Sequence, residues 1–198
     1  MKKLFLLSML FSFAVIAKGQ DEYYERQPVK DKPDPIIDSI YRNLPKVDGL
    51  YEFNEVVKLE SSFTKDLLYK KSKSFFANVF KNANAVIQYD DKDEGKIIGK
   101  GNLKVIVPTT VLLTKTYLES RVNFSIEIFS KDGKYRYRIY DIKPESGSID
   151  DLYSATFKGT MKKGNRKLFV KMIDEIKATA ELIKQYMSSS TSNTNDDF

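Results

Sequence analysis

Two runs of alternating apolar and polar residues meet at the dipeptide Asp132-Gly133, and they constrain the fold more than any other feature of the sequence. Residues 118–128 place large apolar side chains at positions 118, 122, 124, 126 and 128, and the run at residues 135–143 begins with them at positions 135, 137 and 139. A β-strand has this two-residue repeat, because successive side chains point to opposite faces of a sheet. Asp-Gly suits a two-residue type I′ turn, since both central positions of that turn need a positive φ. The pattern therefore predicts an antiparallel hairpin.

The Asp132-Gly133 turn also predicts the register of this hairpin. A two-residue turn places Glu127 opposite Arg138, and it places Phe129 opposite Arg136. The same alternation of apolar and polar side chains recurs elsewhere in the chain. It predicts three further strands, over residues 51–59, 85–90 and 96–107.

Two stretches with apolar residues at helical spacing complete the predicted domain. The first covers residues 65–83, with Thr64 as its N-cap. The second covers residues 167–187, with Asn165 as its N-cap, and its apolar stripe is typical of a core helix rather than of a cofactor site. One sheet face is enough to bury both stripes. The predicted fold class is therefore α+β, in the order β-α-β-β-β-β-α, with both helices packed on one face of an antiparallel sheet.

The N-terminus has the three parts of a secretory signal peptide. Lys2 and Lys3 precede an apolar run at residues 4–16, which is too short to span a bilayer, and small residues then precede Gln20. We therefore predict a signal peptide at residues 1–19, cleavage before Gln20, and a periplasmic or secreted protein with no membrane span after cleavage. A lipoprotein is excluded, because the chain has no cysteine to carry the lipid.

Composition separates the predicted domain from its two ends. Residues 20–48 contain four of the six prolines, interleaved with charged residues, which is typical of a linker. Residues 188–198 are rich in Ser, Thr, Asn and Asp, which is typical of a disordered tail. Residues 49–187 are therefore predicted to form the folded domain, which has no disulfides to stabilise it.

Four parts of the predicted domain resemble a known family. They are Leu68-Tyr69 with Lys73-Ser74-Phe75, Val86-Ile87-Gln88-Tyr89, Gly95-Lys96-Ile97-Ile98-Gly99-Lys100-Gly101 and Lys131-Asp132-Gly133-Lys134-Tyr135-Arg136-Tyr137. In order and spacing they are similar to a bacterial secreted family of domains of unknown function with a TBP-like fold, over about residues 44–143. The resemblance implies a β-α-β4-type fold, a signal peptide and residence in the cell envelope. It implies no activity and no catalytic residue, and a TBP-like fold does not by itself imply DNA binding.

The absence of histidine and cysteine excludes most catalytic designs. Ser-His and Cys-His nucleophilic pairs, thiolate chemistry and imidazole-based zinc sites all need those side chains. The acidic loop at residues 90–95 fails as a calcium loop, because Lys92 stands where an oxygen ligand is needed. Ser62-Phe63-Thr64-Lys65 matches the S-x-x-K motif, but helix capping is the better interpretation. We therefore predict no catalytic residue, no metal and no cofactor.

Two other functions stay open. A hydrolase or lyase can be built on carboxylates and tyrosine, and Asp141 is the one acid in line with Tyr137 and Ile139 on an otherwise apolar strand face. A strand-end acid that reaches solvent is the better interpretation of Asp141, because charged side chains are rarely buried unpaired. Alternating basic and aromatic residues at positions 134–140 favour nucleic-acid binding. The charge disfavours it, because without the three lysines of residues 1–19 the net charge falls from +6 to +3.

The leading hypothesis is a non-enzymatic binding module that uses the sheet face left open by the helices. Strand alternation places long basic side chains and a tyrosine on that face, a mixture that partner surfaces use as anchors. The predicted partner-binding residues are Lys100, Lys104, Arg121, Arg136, Arg138 and Tyr140. The predicted partner is a protein, peptide or glycan of the envelope, and no nucleic acid is expected. Residues 109–116 and the segment after Lys143 are the alternative sites.

Overall fold

The structure is a computed structural model that describes residues 32–80 and 86–189. The predicted signal peptide lies outside these ranges. So do residues 20–31 of the predicted linker and residues 190–198 of the predicted tail.

A five-stranded antiparallel sheet and a small separate hairpin contain all seven described strands. The hairpin is formed by β1 (Lys46–Val47) and β2 (Leu50–Tyr51). The sheet is formed by β3 (Phe53–Lys58), β4 (Ile87–Asp91), β5 (Lys96–Val111), β6 (Thr114–Lys131) and β7 (Lys134–Pro144). Their spatial order is β3-β7-β6-β5-β4, and every pair of neighbours is antiparallel. The predicted antiparallel sheet is confirmed.

The β6–β7 hairpin has the predicted register but a different turn. Glu127 is opposite Arg138 and Phe129 is opposite Arg136, as expected. Gly133 has a φ of +68°, whereas Asp132 is not among the residues with positive φ, so the turn is not type I′. The Asp132 carboxylate instead accepts a hydrogen bond from the Lys65 amide at 2.6 Å. The type I′ prediction is therefore wrong. The Asp132 side chain binds the backbone at Lys65, the first residue of α2.

The structure describes four helices, two of which are the predicted ones. They are α1 (Pro35–Arg42), α2 (Lys65–Val79), α3 (Ile149–Ala155) and α4 (Lys162–Ser188). Phe76 of α2 lies over Gly99, and Gly164 of α4 lies against Thr109. Because Gly99 and Thr109 are an even number of residues apart in β5, α2 and α4 pack on the same face, as predicted. No helix in residues 32–80 or 86–189 is long and apolar enough to cross a membrane.

α2 begins as predicted but buries an unexpected lysine. The Thr64 hydroxyl accepts a hydrogen bond from the Leu67 amide at 3.3 Å, which satisfies one free amide of the first turn. The pattern places Lys71 off the apolar stripe, yet Lys71 is buried. Its ammonium group donates to the backbone carbonyl of Ser189 at 2.6 Å, and burial lowers the pKa of Lys71. Lys71 is buried because the end of α4 covers it.

α4 starts earlier than its pattern predicts. Its first residue is Lys162 with Met161 at the N-cap position, so Asn165 is not the cap. The Asn165 side-chain amide donates instead to the Ala155 carbonyl at 2.9 Å, which ties α4 to the end of α3. The apolar stripe is confirmed, because every predicted position is buried. These positions are Phe169, Met172, Ile173, Ile176, Ala180, Ile183 and Met187.

The described part of the predicted linker, residues 32–48, forms regular structure. Asp34 accepts a hydrogen bond from the Ile36 amide and caps α1, while Pro35 occupies the first turn, where a proline removes no helical hydrogen bond. Tyr41 stacks on Tyr153 of α3 with ring centroids 3.8 Å apart. Two apolar side chains of the segment reach the core, namely Ile37 and Leu44. The prolines stand outside the helix interior, so they do not prevent this docking.

Candidate functional site

The six predicted partner-binding residues lie on the sheet face opposite α2 and α4. Cross-strand partners in a sheet project from the same face. The register pairs Lys104 with Arg121, Lys100 with Ser125, Ser125 with Tyr140, Glu127 with Arg138, and Phe129 with Arg136. Lys100 also alternates with Gly99, whose face carries Phe76 of α2. This placement agrees with the alternation of the sequence, and the binding role of these residues stays a prediction.

A cleft of about 790 Å³ opens at one end of this face. Its floor is the sheet, through side chains such as Ile98 and Tyr140. Its walls are the β1–β2 hairpin and the residues at 147–150 that lead into α3. Such a volume falls within the range of about 300–1,000 Å³ that is usual for ligand sites. Three of the six predicted residues line the cleft, namely Lys100, Arg138 and Tyr140.

A β-bulge in β7 shapes the cleft. The register skips there, since Asn123 pairs with Lys143 but Ser125 pairs with Tyr140. Asp141 and Ile142 therefore share the place opposite Phe124. Asp141 has a φ of 55°, a conformation that is uncommon for a residue other than glycine. Bulges of this kind bend the strand and redirect its side chains, and they are frequent beside functional sites.

The bulge decides between two expectations for Asp141. Without it, Asp141 would continue the buried line of Tyr137 and Ile139. With it, Ile142 takes the buried position, and the Asp141 side chain keeps 36% of its exposure. The expectation that Asp141 is in line with the apolar face is therefore wrong, and the expectation that it reaches solvent is confirmed.

Asp141 holds two lysines at the mouth of the cleft. Its Oδ1 lies 2.6 Å from Nζ of Lys143, and its Oδ2 lies 3.2 Å from Nζ of Lys100. The hydrogen bond from Lys143, helped by that from Lys100, lowers the pKa of Asp141. Both lysine side chains are more than half exposed, and two cations share one carboxylate. The group therefore has a net positive charge that is open to an anionic partner.

Arg138 and Arg136 neutralise buried carboxylates instead. Nε and Nη2 of Arg138 donate to the two carboxylate oxygens of Glu52 at 2.8 and 2.7 Å. Nη2 of Arg136 donates to Glu127 at 2.9 Å. Glu52 is 5% exposed and Glu127 is 3% exposed, and a buried carboxylate needs a charged partner of this kind. The bond from Arg138 lowers the pKa of Glu52. These two arginines therefore stabilise the fold by pairing with buried carboxylates.

Lys104 and Arg121 lie on the open face but outside the cleft. Nζ of Lys104 pairs with Glu119 at 2.9 Å. Arg121 is opposite Lys104, and its backbone amide donates to Glu145 at 3.2 Å. The cleft is therefore smaller than the surface that the sequence predicts.

Two tyrosines and Asp150 close one wall of the cleft. The Tyr41 and Tyr51 hydroxyls donate to the same carboxylate oxygen of Asp150, at 2.7 and 2.5 Å. These two bonds lower the pKa of Asp150, with the larger effect from Tyr51. The Lys46 ammonium lies 4.3 Å from the centroid of the Tyr51 ring, within cation–π range. The β1–β2 hairpin is thereby fixed to the start of α3.

The sequence reasoning missed the β1–β2 hairpin, which supplies the apolar rim of the cleft. Leu50 at this rim is 74% exposed and Val47 is 38% exposed. The two strands have only two residues each, so alternation has too few positions to show. The available signal is Asp48-Gly49, where φ is 49° and 80°, the positive pair that a type I′ turn needs.

Four ionisable groups of the cleft have pKa values that are shifted away from neutral pH. Asp141, Asp150 and Glu52 all have lowered pKa values, so they are ionised near neutral pH and have no proton to donate. Burial raises the pKa of Tyr140, so its phenol stays protonated. General acid–base catalysis needs a group that titrates near the working pH. No cluster of three or more potential metal ligands occurs in the part of the chain that the structure describes.

Comparisons with known proteins agree with this architecture. DUF4468, a domain of unknown function with TBP-like fold, matches residues 53–144. The crystal structure of a DUF4468 family protein from Bacteroides ovatus has a TM-score of 0.58 at 16% identity, covering 76% of this chain and 93% of that chain. A TBP-like protein from Parabacteroides distasonis has a TM-score of 0.50 at 12% identity, covering 74% of this chain and 99% of that chain. No curated protein matches the sequence significantly.

The family and the two solved structures support the fold and indicate no activity. Identities of 16% and 12% carry the fold alone, because function depends on the site rather than on the fold. The resemblance seen in the sequence at about residues 44–143 covers nearly the same part of the chain as the family match. Residues 53–144 of this chain are therefore similar to the DUF4468 family of domains of unknown function with a TBP-like fold.

Proposed function

We propose that this protein is a non-enzymatic binding module whose cleft on the open sheet face receives a peptide segment of a partner protein. The composition of the cleft carries the proposal, because apolar atoms form most of the exposed surface of its lining and two lysines stand beside that surface. An apolar pocket with a few polar groups is typical of ligand sites. The apolar lining consists of Val47, Leu50, Ile98, Ile142 and Ile149.

The lysines at the mouth define the chemistry of the expected peptide. Lys100 and Lys143 share the single carboxylate of Asp141, so a second carboxylate would complete their pairing. The apolar lining beside them would accept a large aliphatic or aromatic side chain. The expected segment therefore has an acidic residue close to an apolar one.

The aromatic rings of the cleft favour a peptide over a glycan. Sugar recognition commonly uses the free face of an aromatic ring. Here the Arg138 guanidinium lies 4.8 Å from the centroid of Tyr140, and the Lys46 ammonium lies over Tyr51. Each ring already has one face engaged by a cation, which leaves less surface for stacking.

We also propose that the module acts in the periplasm or outside the cell. The pattern of residues 1–19 supports this location. The intact mass of protein recovered from the envelope fraction tests it. We expect a chain that begins at Gln20, and retention of residues 1–19 in that fraction would contradict the proposal.

Selection from a random peptide library displayed on phage tests the binding function. The immobilised full chain should enrich peptides that combine an acidic and an apolar residue. Leu50→Ser and the double variant Lys100→Gln/Lys143→Gln should each lower the affinity for the enriched peptides at least tenfold. All three side chains are exposed, so the melting temperature should stay within a few degrees.

Two variants outside the cleft serve as matched controls. Val56→Ser removes an exposed apolar side chain from β3, and Lys92→Gln removes a lysine from the β4–β5 turn. Both should bind the peptides as the unmodified chain does. Failure to enrich any peptide, or full binding by Leu50→Ser, would contradict the proposal.

A further inference from the structure

The far end of the β5–β6 hairpin forms a second surface, separate from the cleft. The hairpin tip is Leu112-Leu113, twelve residues along the chain from Lys100, or roughly 40 Å along an extended strand. We propose that this tip enters the surface of an anionic phospholipid bilayer while the lysines around it bind lipid phosphates. The proposal is independent of peptide binding in the cleft.

The tip leucines are in a conformation and an environment that do not suit leucine. Leu112 has a φ of 46° and Leu113 a φ of 68°, so both occupy the left-handed region where Asn and Gly are usual. Leu112 is 94% exposed and Leu113 is 98% exposed, so neither contributes to the core. The two leucines therefore bury almost no apolar surface when the chain folds, and burial does not offset their backbone strain. Backbone strain of this kind is typical of functional sites.

The chain around the tip is basic and lacks acidic residues. Residues 105–118 contain no Asp or Glu, and neither do residues 152–173, which include the start of α4. The two segments are in contact, because the Lys167 ammonium donates to the Pro108 carbonyl at 3.0 Å. Within residues 32–80 and 86–189, Lys115 and Lys163 have no acidic partner. Lys115 and Lys163 therefore present positive charge that no described carboxylate neutralises, and anionic lipid attracts such charge.

A hollow of about 270 Å³ lies directly beside the tip. Its lining contains ammonium and hydroxyl donors but no carboxylate, a set that matches the oxygens of a phosphate group. The lining residues are Pro108, Thr109, Thr110, Lys115, Thr116, Tyr117, Lys163 and Lys167. Tyr117 is 74% exposed, and tyrosine is frequent at the depth of lipid headgroups.

A bilayer fits these features better than a protein partner does. A specific protein interface buries about 800 Å² on each side, whereas the tip presents two convex leucines. A bilayer needs no complementary pocket, and apolar residues flanked by lysines are typical of binding at its interface. Free phosphate would account for the hollow but not for the leucines.

A tryptophan reporter at the tip tests the proposal, because the chain has no tryptophan of its own. The full chain with Leu113→Trp is mixed with vesicles of phosphatidylglycerol and phosphatidylcholine in equal parts. We expect a blue shift of the emission, and quenching when the acyl chains are brominated. Vesicles of phosphatidylcholine alone, and inorganic phosphate alone, should leave the emission unchanged.

The emission of a tryptophan depends on the surroundings of its own ring. The Leu113→Trp reporter therefore distinguishes entry of the tip into the bilayer from vesicle binding through residues 1–31. The control Val56→Trp places the reporter on an exposed apolar position of β3, and its emission should not change with any vesicle. If the chain binds vesicles while the Leu113→Trp emission stays unshifted, the proposal is overturned. An equal response with phosphatidylcholine alone overturns it too.

Substitutions around a second reporter, Tyr117→Trp, test the two parts of the surface. Leu112→Asn/Leu113→Gly should abolish the response, while the melting temperature should stay equal or rise, because Asn-Gly suits the turn. Lys115→Glu/Lys163→Glu should weaken vesicle binding at least tenfold, whereas the control Lys92→Glu should have little effect. A full response from either double variant would overturn the proposal.

Discussion

Gly99 of β5 is the position where a single methyl group should most clearly disturb the domain. Phe76 of α2 packs directly on the backbone of Gly99. A Cβ at this position would stand 2.9 Å from Cδ1 of Phe76 and closer still to Cε1. Carbon atoms pack at about 3.5–4.0 Å, so the ring would have to move by about 1 Å.

The surroundings of Phe76 leave no room for that movement. The ring is 0% exposed. Its centroid lies 5.4 Å from that of Phe75 and 5.9 Å from that of Phe80. Overpacking of a buried site costs about 1–3 kcal/mol. Alanine recovers about 0.5–1 kcal/mol over glycine in a strand, so we expect Gly99→Ala to lower the free energy of unfolding by about 1 kcal/mol.

Thermal unfolding with a double-mutant cycle measures this cost. At about 2–4 °C for each kcal/mol in a domain of this size, Gly99→Ala should melt about 2–4 °C lower. Phe76→Leu shortens the ring that causes the clash. The combined Gly99→Ala/Phe76→Leu variant should therefore cost less than the sum of the two single variants, by about 1 kcal/mol. Strictly additive costs, or an unchanged melting temperature for Gly99→Ala, would refute the packing described here.

Three further predictions concern the core, acid stability and a helix cap. Ile176→Ala should lower the free energy of unfolding by about 2–5 kcal/mol in urea denaturation, because Ile176 is fully buried in the stripe of α4; a cost below 1 kcal/mol would mean that the helix docks loosely. The hydrogen bond from Arg138 lowers the pKa of Glu52, so this bond stabilises the fold above the ordinary pKa of glutamate, about 4.3, and the stabilisation is lost as the pH falls through the lowered value. Stability measured between pH 3 and 7 should therefore fall less steeply with acid in Glu52→Gln than in the unmodified chain, and parallel curves would contradict the assignment. Ser148 and Asp151 form a capping box at the start of α3, so Ser148→Ala should cost about 0.5–2 kcal/mol, and no loss in urea would argue against the cap.

The long elements of this chain were predictable because each repeats its pattern over many residues. β6 has 18 residues and α4 has 27, so alternation and the apolar stripe are visible without knowledge of the fold. The register at Glu127 and Arg138 followed from the turn length alone, although the turn type did not. The face that carries the candidate site followed from the same alternation.

The features that turn this face into a cleft depend on contacts that alternation does not encode. The bulge at Asp141 inserts one residue into β7. The residues before it alternate regularly and give no sign of the insertion. α1 and α3 have eight and seven residues, and they are stable through contacts such as the stack of Tyr41 on Tyr153. The bidentate pair of Glu52 and Arg138 joins residues 86 positions apart, so neither residue signals its role locally.

The spatial order of the strands separates early pairings from late ones during folding. β5, β6 and β7 follow one another through two-residue turns, so their pairing closes only short loops. β3 pairs with β7 instead, so Phe53 lies opposite Ile139, which is 86 positions later in the chain. Loop-closure entropy grows with loop length, so the three-strand meander should assemble before β3 completes the sheet. Until β3 arrives, β7 has an unpaired edge, and its Lys134, Arg136 and Arg138 side chains oppose pairing with the same edge of another copy.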